Sequence, residues 1–424
     1  MSSSRIWRPY TQEKTAPPAI RIAKAKGSYI YSEYGQKIFD GVSSWWLITH
    51  GHCQPEIVEA IQKQSAKIDQ VLFANFSHKP AEELAELLLE ITPPSLNRVF
   101  LSDNGSTAVE VALKMALQSC AQRGKPSKTK FLGFAGAYHG DTVGAMSIGG
   151  VNAFTKPYRK ALFEVLTANH PTDLTADILD WTKDFERIIR IHHEQVAAVI
   201  LEPLIQGAGG MIFWPESAVR KIAVLCQELG VYLIFDEVMT GFGRTGQTFA
   251  MDKVGVAPDL LCLSKGLTGG ALPLAVTMAG EEIYQSFLSD SRNKMLFHGH
   301  SFTGNPISCA AAVANIKLFK KEITTERLYE IENAQIASLT RIQKKFLLKN
   351  VRVCGTIGAI DLQTDNPGYL NEISKLLTDH CLKDGHFIRP LGSTIYVMPP
   401  YCSTPKEVED CWLAIGEALH RYSN

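Results

Sequence analysis

The chain of 424 residues lacks several features that would place it in a class at once. No apolar run approaches the ~20 residues that a membrane-spanning helix needs, so no span and no membrane partner is expected. No block of like charge stands out: Lys+Arg and Asp+Glu both count 43. Bulk electrostatics therefore favours neither nucleic acid nor an anionic surface. The nine cysteines form no CxxC pair and keep no regular spacing. Such a dispersed, odd set points to reduced thiols in a cytoplasmic protein, not to a disulfide framework. The opening MSSSRIWRPYTQ has no apolar signal core. There is no low-complexity segment and no internal repeat. What the chain does have is 45% hydrophobic content. At this length that is enough for two domains, or for one large domain with a satellite.

One stretch, Leu233 to Gly270, carries the chemistry. An apolar run ends there in Asp236 and Glu237, and a second run, Leu260 to Leu263, ends in Ser264-Lys265-Gly266. Both runs have strand length and stop at loop-type residues. Asp236 and Lys265 are therefore expected at the ends of two strands, on the edge where α/β proteins bind ligands. An acid and a lysine placed there suit pyridoxal phosphate (PLP). The lysine can form a Schiff base with the cofactor aldehyde, and the carboxylate can hold the pyridine nitrogen protonated. An ion pair between strand ends is the ordinary alternative for such a pair.

Along the chain, Ala25 to Tyr31 and Lys37 to Phe39 read as strands of a hairpin. Trp45 and Trp46 follow, either as packing or as the apolar wall of a site for a long aliphatic substrate. His50 and His52 have no third ligand at a useful spacing, so no metal is expected. Helices are predicted from Pro55 to about Gln70, Pro80 to Ile91, and Ala108 to about Gln122. The small residues at Ser102 to Thr107 form either a plain N-cap or an anion site at a helix N-terminus. Strands are predicted at Val99–Leu101, Phe131–Ala135 and Val196–Leu201. Tyr138 sits on a glycine-rich junction, where its ring can stack on a flat cofactor or simply pack its own loop. Pro171 to Thr175 reads as a loop, Trp181 to His193 and Ala218 to Gly230 as helices, and Leu272 to Ala279 as a strand. Alternating strands and helices over residues 99–280 predict a doubly covered α/β domain. His298 to Pro306 is a second small-residue loop, leading into a helix from Ile307 to Phe319. Beyond it lies an α+β piece, with helices at about 324–348, 366–384 and 405–421, a strand at Thr356 to Leu362, and the hairpin-like HFIRPLGSTIYVMPPY.

The order of strand-Asp-Glu, glycine-rich loop, strand-Ser-Lys-Gly and HGHSFTGNP resembles the class III (omega) aminotransferases of PLP fold type I. The resemblance covers nearly the whole chain. Arg8-Pro9-Tyr10-Thr11, Trp45-Trp46, the run from Gly136 to Asp141, Arg389-Pro390-Leu391-Gly392 and Ile395-Tyr396 are similar to the biotin-pathway members of that family. The resemblance implies a large domain with a mainly parallel sheet over residues 51–321. A smaller α+β domain would come from both chain ends, residues 1–50 and 322–424. It also implies roles. Lys265 resembles the Schiff-base lysine and Asp236 the partner of the pyridine nitrogen. Tyr138 resembles the stacking ring, with Val238 on the opposite face. Gly105 and Ser106 resemble the phosphate cradle, and Ser301 a phosphate contact from the neighbouring subunit of a homodimer. Arg389 resembles the anchor for a substrate carboxylate. Tyr10, Trp45, Trp46 and Gly299 resemble substrate contacts, and Glu202 and Arg244 pocket groups. The implied substrates are 8-amino-7-oxononanoate and the amino donor S-adenosylmethionine. Met239 departs from the Gln that ornithine and 4-aminobutyrate enzymes carry there, and Gly299-His300-Ser301 departs from Gly-Pro-Thr. Another omega-amine transaminase, a glutamate-semialdehyde-type aminomutase and a silent PLP-binding protein are the competing expectations.

Overall fold

Short apolar runs, each followed by a helix, build the centre of the molecule. The computed structural model describes residues 5–150, 152–170, 178–346, 348–363, 368, 371 and 373–422. In chain order the strands are β1 (Ile22–Lys26), β2 (Tyr29–Ser32), β3 (Lys37–Asp40), β4 (Arg98–Ser102), β5 (Lys130–Phe134), β6 (Leu166–Ala168), β7 (Val196–Leu201), β8 (Ile205–Gln206), β9 (Ile212–Phe213), β10 (Tyr232–Asp236), β11 (Leu260–Leu263), β12 (Ala275–Ala279), β13 (Leu348–Cys354), β14 (Ile357–Leu362), β15 (His386–Phe387) and β16 (Thr394–Val397).

The main sheet has seven strands in the order β4-β12-β11-β10-β7-β5-β6. From β11 through β10, β7 and β5 to β6 the pairing is parallel, and β12 runs antiparallel to both of its neighbours. Side chains along each strand alternate between two apolar layers, as a sheet covered on both faces requires. Leu233, Phe235, Leu261, Leu263 and Met278 enter one core, and Ile234, Leu260, Cys262 and Ala275 the other. The helix Gly105–Gln122 covers the second face through Ala108, Val111 and Ala112. Because the strands are parallel, β7, β10 and β11 end on one edge, which places Glu202, Asp236 and Lys265 together.

A second body joins the chain ends. β1, β2 and β3 form a sheet to which β15 adds in parallel, with His386 opposite Phe39 and Phe387 opposite Asp40. A third core gathers Phe39 with Ile360, Ile395 and Trp412. Helices Glu322–Gln343 and Pro405–Tyr422 cover it. Among the described residues no helix is long and apolar enough to cross a membrane.

The structure corrects several sequence expectations. The strand expected over residues 25–31 is broken at Gly27, whose φ of +59° turns β1 into β2. The helix after Pro55 ends at Ser65, not near Gln70. The helix expected to run to residue 348 stops at Gln343, and residues 348–354 form β13. Its polar residues continue the helical pattern in sequence. A register shift between Lys349 and Arg352 then lets Leu348, Val351 and Val353 all face the third core. HFIRPLGSTIYVMPPY is no simple hairpin: β15 joins the N-terminal sheet, while β16 pairs with β14. The return strand starts at Ala275 rather than Leu272. The loop expected at 171–175 lies outside the described residues, as does most of the stretch where the helix over 366–384 was expected to start. The described part of that helix is Ile373–Lys383.

Candidate active site

The ends of β7, β10 and β11 border a cavity of about 690 Å³. Asp236 closes β10 and is buried. Its Oδ2 accepts the Nδ1–H of His139 at 2.7 Å, and its Oδ1 accepts the Val238 N–H at 3.0 Å. Glu237, one residue on, faces the opposite way, as strand alternation requires. It accepts the N–H groups of Ala250 and Met251 at 2.7 and 2.8 Å and so caps the helix Ala250–Val254. Burial pushes its carboxyl up to about 8.

Lys265 begins a 3₁₀ turn directly after β11, with φ of +45°. A non-glycine residue in that region is strained and must be held by its surroundings. The Asn315 side-chain amide holds the turn, donating to Gly266 O at 2.7 Å and Leu267 O at 3.1 Å. The Lys265 Nζ lies 4.8 Å from the centre of the Trp46 ring. Burial lowers its pKa, against the opposing pull of Asp236 and Glu202. Glu202 accepts the N–H groups of Tyr138 and Gly207 at 3.0 and 2.8 Å, and burial lifts it to about 7.

Gly105 and Ser106 open the helix Gly105–Gln122, whose cap Asn104 accepts the Thr107 N–H at 3.0 Å. The first N–H groups of a helix have no carbonyl within it to bond, so they are free for an anion. A Cβ at position 105 would lie 2.6 Å from Val238 Cγ1, so only glycine lets this turn approach Val238. Ser106 Oγ accepts the Thr142 N–H at 3.0 Å, and the Thr142 hydroxyl donates to Glu110 Oε1 at 2.5 Å. Gly140, at φ of +126°, makes that contact feasible: a Cβ there would sit 2.2 Å from Ser106 Oγ.

A second chamber of about 360 Å³ shares Trp46, Tyr138 and Lys265 with the first. It adds Tyr10, Trp45, Phe154 and Arg389. The Tyr10 hydroxyl donates to Asp141 Oδ2 at 2.6 Å, and its ring meets Trp45 and Phe154 edge-on at 5.6 and 5.2 Å. Arg389 stacks its guanidinium over Trp45, with Cζ 4.8 Å from the ring centre. Two carboxylates in the same part of the chain as Arg389 have other partners. Asp361 pairs with Arg352 at 2.9 Å, and Asp384 faces His380 at 3.4 Å. Trp46 is 4% exposed and donates its Nε1–H to the Tyr396 hydroxyl at 2.8 Å.

Thus Tyr10, Trp45, Trp46, Gly105, Ser106, Tyr138, Asp236, Val238, Lys265 and Arg389 come together around the two chambers. Gly299 and Ser301 do not; both are exposed and outside the cavity of their own chain. Their loop is tied down by the Gln70 amide, which donates to Ser301 O at 3.1 Å. Arg244 is fully buried and donates to the carbonyls of Pro399 and Ile48 at 3.0 and 2.8 Å, without reaching the chambers. Sequence reasoning gave no role to His139, Asp141 or Phe154. The first two stand next to Tyr138 and in the same motif, so proximity was a signal. Phe154 lies in a stretch with no pattern to flag it.

Small-molecule pockets run ~300–1,000 Å³, so the larger chamber can take a cofactor of pyridoxine size. Its donor set also fits: an amine from Lys265, a carboxylate for a ring nitrogen, and a helix N-terminus for a phosphate. Fold and cavity together define a PLP-dependent transferase of fold type I. More narrowly, the chain belongs to the class III aminotransferases, whose family model, "Aminotransferase class-III", matches residues 10–419. It is 44% identical to the adenosylmethionine-8-amino-7-oxononanoate aminotransferase of Synechococcus elongatus, over 99% of each chain. The enzyme of that name from Geobacter sulfurreducens is 37% identical, over 98% of this chain and 95% of its own. Among solved structures, the adenosylmethionine-8-amino-7-oxononanoate aminotransferase of Methanocaldococcus jannaschii superposes with a TM-score of 0.93 at 38% identity, covering 98% of this chain and 97% of the other. A PLP-bound amine transaminase from an uncultivated Pseudomonas species gives 0.93 at 30% identity, covering 99% of both.

Proposed function

We propose that this chain aminates 8-amino-7-oxononanoate to 7,8-diaminononanoate, with S-adenosylmethionine as amino donor, in biotin biosynthesis. The observation that carries the reading is the 44% identity, over 423 residues, to a relative of that name. The second chamber agrees with it. An acid with a long aliphatic spacer needs an apolar channel ending in a planar cation, and Trp45, Trp46 and Arg389 supply both.

Pyridoxal phosphate, when bound, supplies an aldehyde that condenses with amines and a ring that accepts the electrons of a Cα–H bond. Gly105 and Ser106 would hold its phosphate, with Tyr138 and Val238 on the two faces of its ring. Asp236, as carboxylate, would accept a hydrogen bond from the protonated ring nitrogen and keep that proton on the ring, and His139 keeps the carboxylate oriented by donating from Nδ1. Lys265, shifted by burial toward its neutral amine, serves first as nucleophile. Once released it carries the proton away from the donor Cα at Nζ and returns one at the acceptor carbon. Arg389 binds the acceptor carboxylate, and the aromatic residues exclude water from the spacer.

This reading includes a homodimer in the cytoplasm. Gly299 and Ser301 are exposed and do not line the cavity of their own chain, and Phe297 and Phe302 beside them are exposed. Such a loop suits contribution to the partner's site. The nine unpaired thiols suit a reducing compartment. An amino-donor screen with 8-amino-7-oxononanoate as acceptor tests the function. S-adenosylmethionine should bleach the visible cofactor band and yield the diamine. Absence of diamine with every donor would sink the reading. Light scattering should return twice the chain mass, and Ser301→Ala should weaken cofactor retention.

A further inference from the structure

Trp45 and Trp46 stand on a segment that the backbone does not favour. Ser43, Ser44 and Trp46 have φ of +52°, +62° and +67°. Each non-glycine residue in this region costs energy and persists only where neighbours over-determine it. Trp46 has its own fastenings, through Tyr396 and through its carbonyl, which accepts from Arg244 at 3.4 Å. Ser43 donates its hydroxyl to Met398 O at 2.8 Å. The peptide leading into Trp45 is held from a different side. Asp40, 1% exposed at the end of β3, accepts the Ser44 N–H on Oδ2 at 2.6 Å. The same oxygen accepts from His52 Nε2 at 2.8 Å, and Oδ1 accepts the Val42 N–H at 3.4 Å.

His52 is itself fixed. Its backbone exchanges hydrogen bonds with Gly27, at 3.1 and 2.8 Å. Gly51 before it, at φ of +105°, has no room for a side chain: a Cβ would lie 2.6 Å from Cys402 Sγ. The imidazole is therefore delivered to Asp40 by a rigid backbone. Among the described residues, no lysine or arginine forms an ion pair with Asp40; His52 is the basic partner it has.

We propose that the Asp40–His52 pair sets the position of Trp45, and through the stacked Arg389 the fit of the acceptor acid. Both are positioning residues, because neither lines the chambers. The chain of contact runs from His52 to Asp40, to the Ser44 amide, to the Trp45 ring and on to Arg389. The inference rests on the reading that the acceptor is 8-amino-7-oxononanoate.

The test uses the holoenzyme and the variants His52→Ala, His52→Gln and Asp40→Asn. His52→Ala should raise the KM for 8-amino-7-oxononanoate about tenfold while kcat changes less than about threefold. His52→Gln, whose amide can still donate to Asp40, should stay within about twofold of the wild type. Asp40→Asn keeps an oxygen for the Ser44 amide and should fall between them. The cofactor band and cofactor affinity should not move in any variant. An unchanged KM in His52→Ala, or a His52→Gln variant as impaired as His52→Ala, would overturn the inference. A loss of cofactor affinity in step with KM would also overturn it, by showing general structural damage. Wild-type enzyme inactive toward this acid would instead defeat the functional reading. A crystal structure of His52→Ala then decides the positioning role by itself. Displacement of Trp45 from Arg389 beyond the ~6 Å reach of a cation–π contact supports it, and an intact stack refutes it.

Discussion

The cavity has two walls made by different means. The cofactor wall is built from strand ends and a helix N-terminus, so its geometry follows from regular hydrogen bonding over residues 98–279. Asp236 ends β10 and Lys265 follows the end of β11, neighbouring strands whose register pairs Asp236 with Cys262. The wall proposed to take the acceptor is built from irregular segments and one short helix: Tyr10, the strained turn at Ser43–Trp46, Phe154 in the helix Asn152–Thr155, and Arg389. There no ladder fixes the side chains, and position depends on individual bonds such as Tyr10 to Asp141 and Asp40 to Ser44. Changes in the first wall should therefore strike the chemistry, and changes in the second should strike recognition.

Lys265→Ala gives the largest expected effect. Turnover should fall at least about a thousandfold, with the cofactor bound but not attached. Borohydride reduction and peptide mapping of the wild type should find the pyridoxyl mass on Lys265, and its recovery on another lysine would break the assignment. Asp236→Asn comes next. Losing a charged hydrogen bond worth ~1.5–3 kcal/mol predicts a rate loss of about tenfold to hundredfold, read in single-turnover bleaching by the donor. Near-wild-type bleaching would erase the distinction between the walls. Arg389→Ala should sharpen it from the other side. KM for the acceptor acid should rise about tenfold while the donor half-reaction changes little. If both half-reactions fail equally, Arg389 serves both substrates or the structure.

Tyr10→Phe should cost less, about threefold to tenfold in acceptor kcat/KM, the worth of ~1 kcal/mol for one hydrogen bond. An effect confined to the donor would place Tyr10 elsewhere in the cycle. Glu237 is a control inside the cofactor wall, because it faces away from the cavity. Burial pushes its carboxyl up from 4.5 to about 8. The native state therefore keeps a proton that the unfolded chain gives up. The stability from that proton is present below 4.5 and lost as pH rises to about 8. Glu237→Gln lacks this loss, so denaturant unfolding at pH 5 and pH 8.5 should show the variant gaining on the wild type at the higher pH. A gap that is constant or reversed would show the group ionised in the native state.

The same division explains what could be read from the sequence. β7 and β11 match their predicted limits, Val196–Leu201 and Leu260–Leu263, because fully buried parallel strands are continuous apolar runs. The residues at their ends were legible for that reason. Trp45 and Trp46 read from the sequence as either packing or a substrate wall, since nothing local says which way a loop tryptophan faces, and Arg389 was singled out only through resemblance. His52 was weighed as a metal ligand, but its partner is Asp40, twelve residues back. Asp141 finds Tyr10 across 131 residues of sequence. β13 was missed because its bulge at Lys349–Arg352 spoils the alternation that marks a strand.

The parallel pairing of β15 with β3 bears on how the protein is made. β1, β2 and β3 are translated long before β15, so their sheet waits for His386 and Phe387. Every strand of the seven-stranded sheet has been translated by Ala279, well before that partner arrives. Domains form as units during translation, N-terminal parts first. Here the order is inverted for the two walls. The nascent chain can complete the sheet edge that bears Asp236 and Lys265 while Trp45 still lacks Arg389, and the second chamber closes only when β15 and the residues after it emerge. Limited proteolysis of chains stalled short of residue 386 would expose that order, through a protected central sheet and a cleavable N-terminal arm.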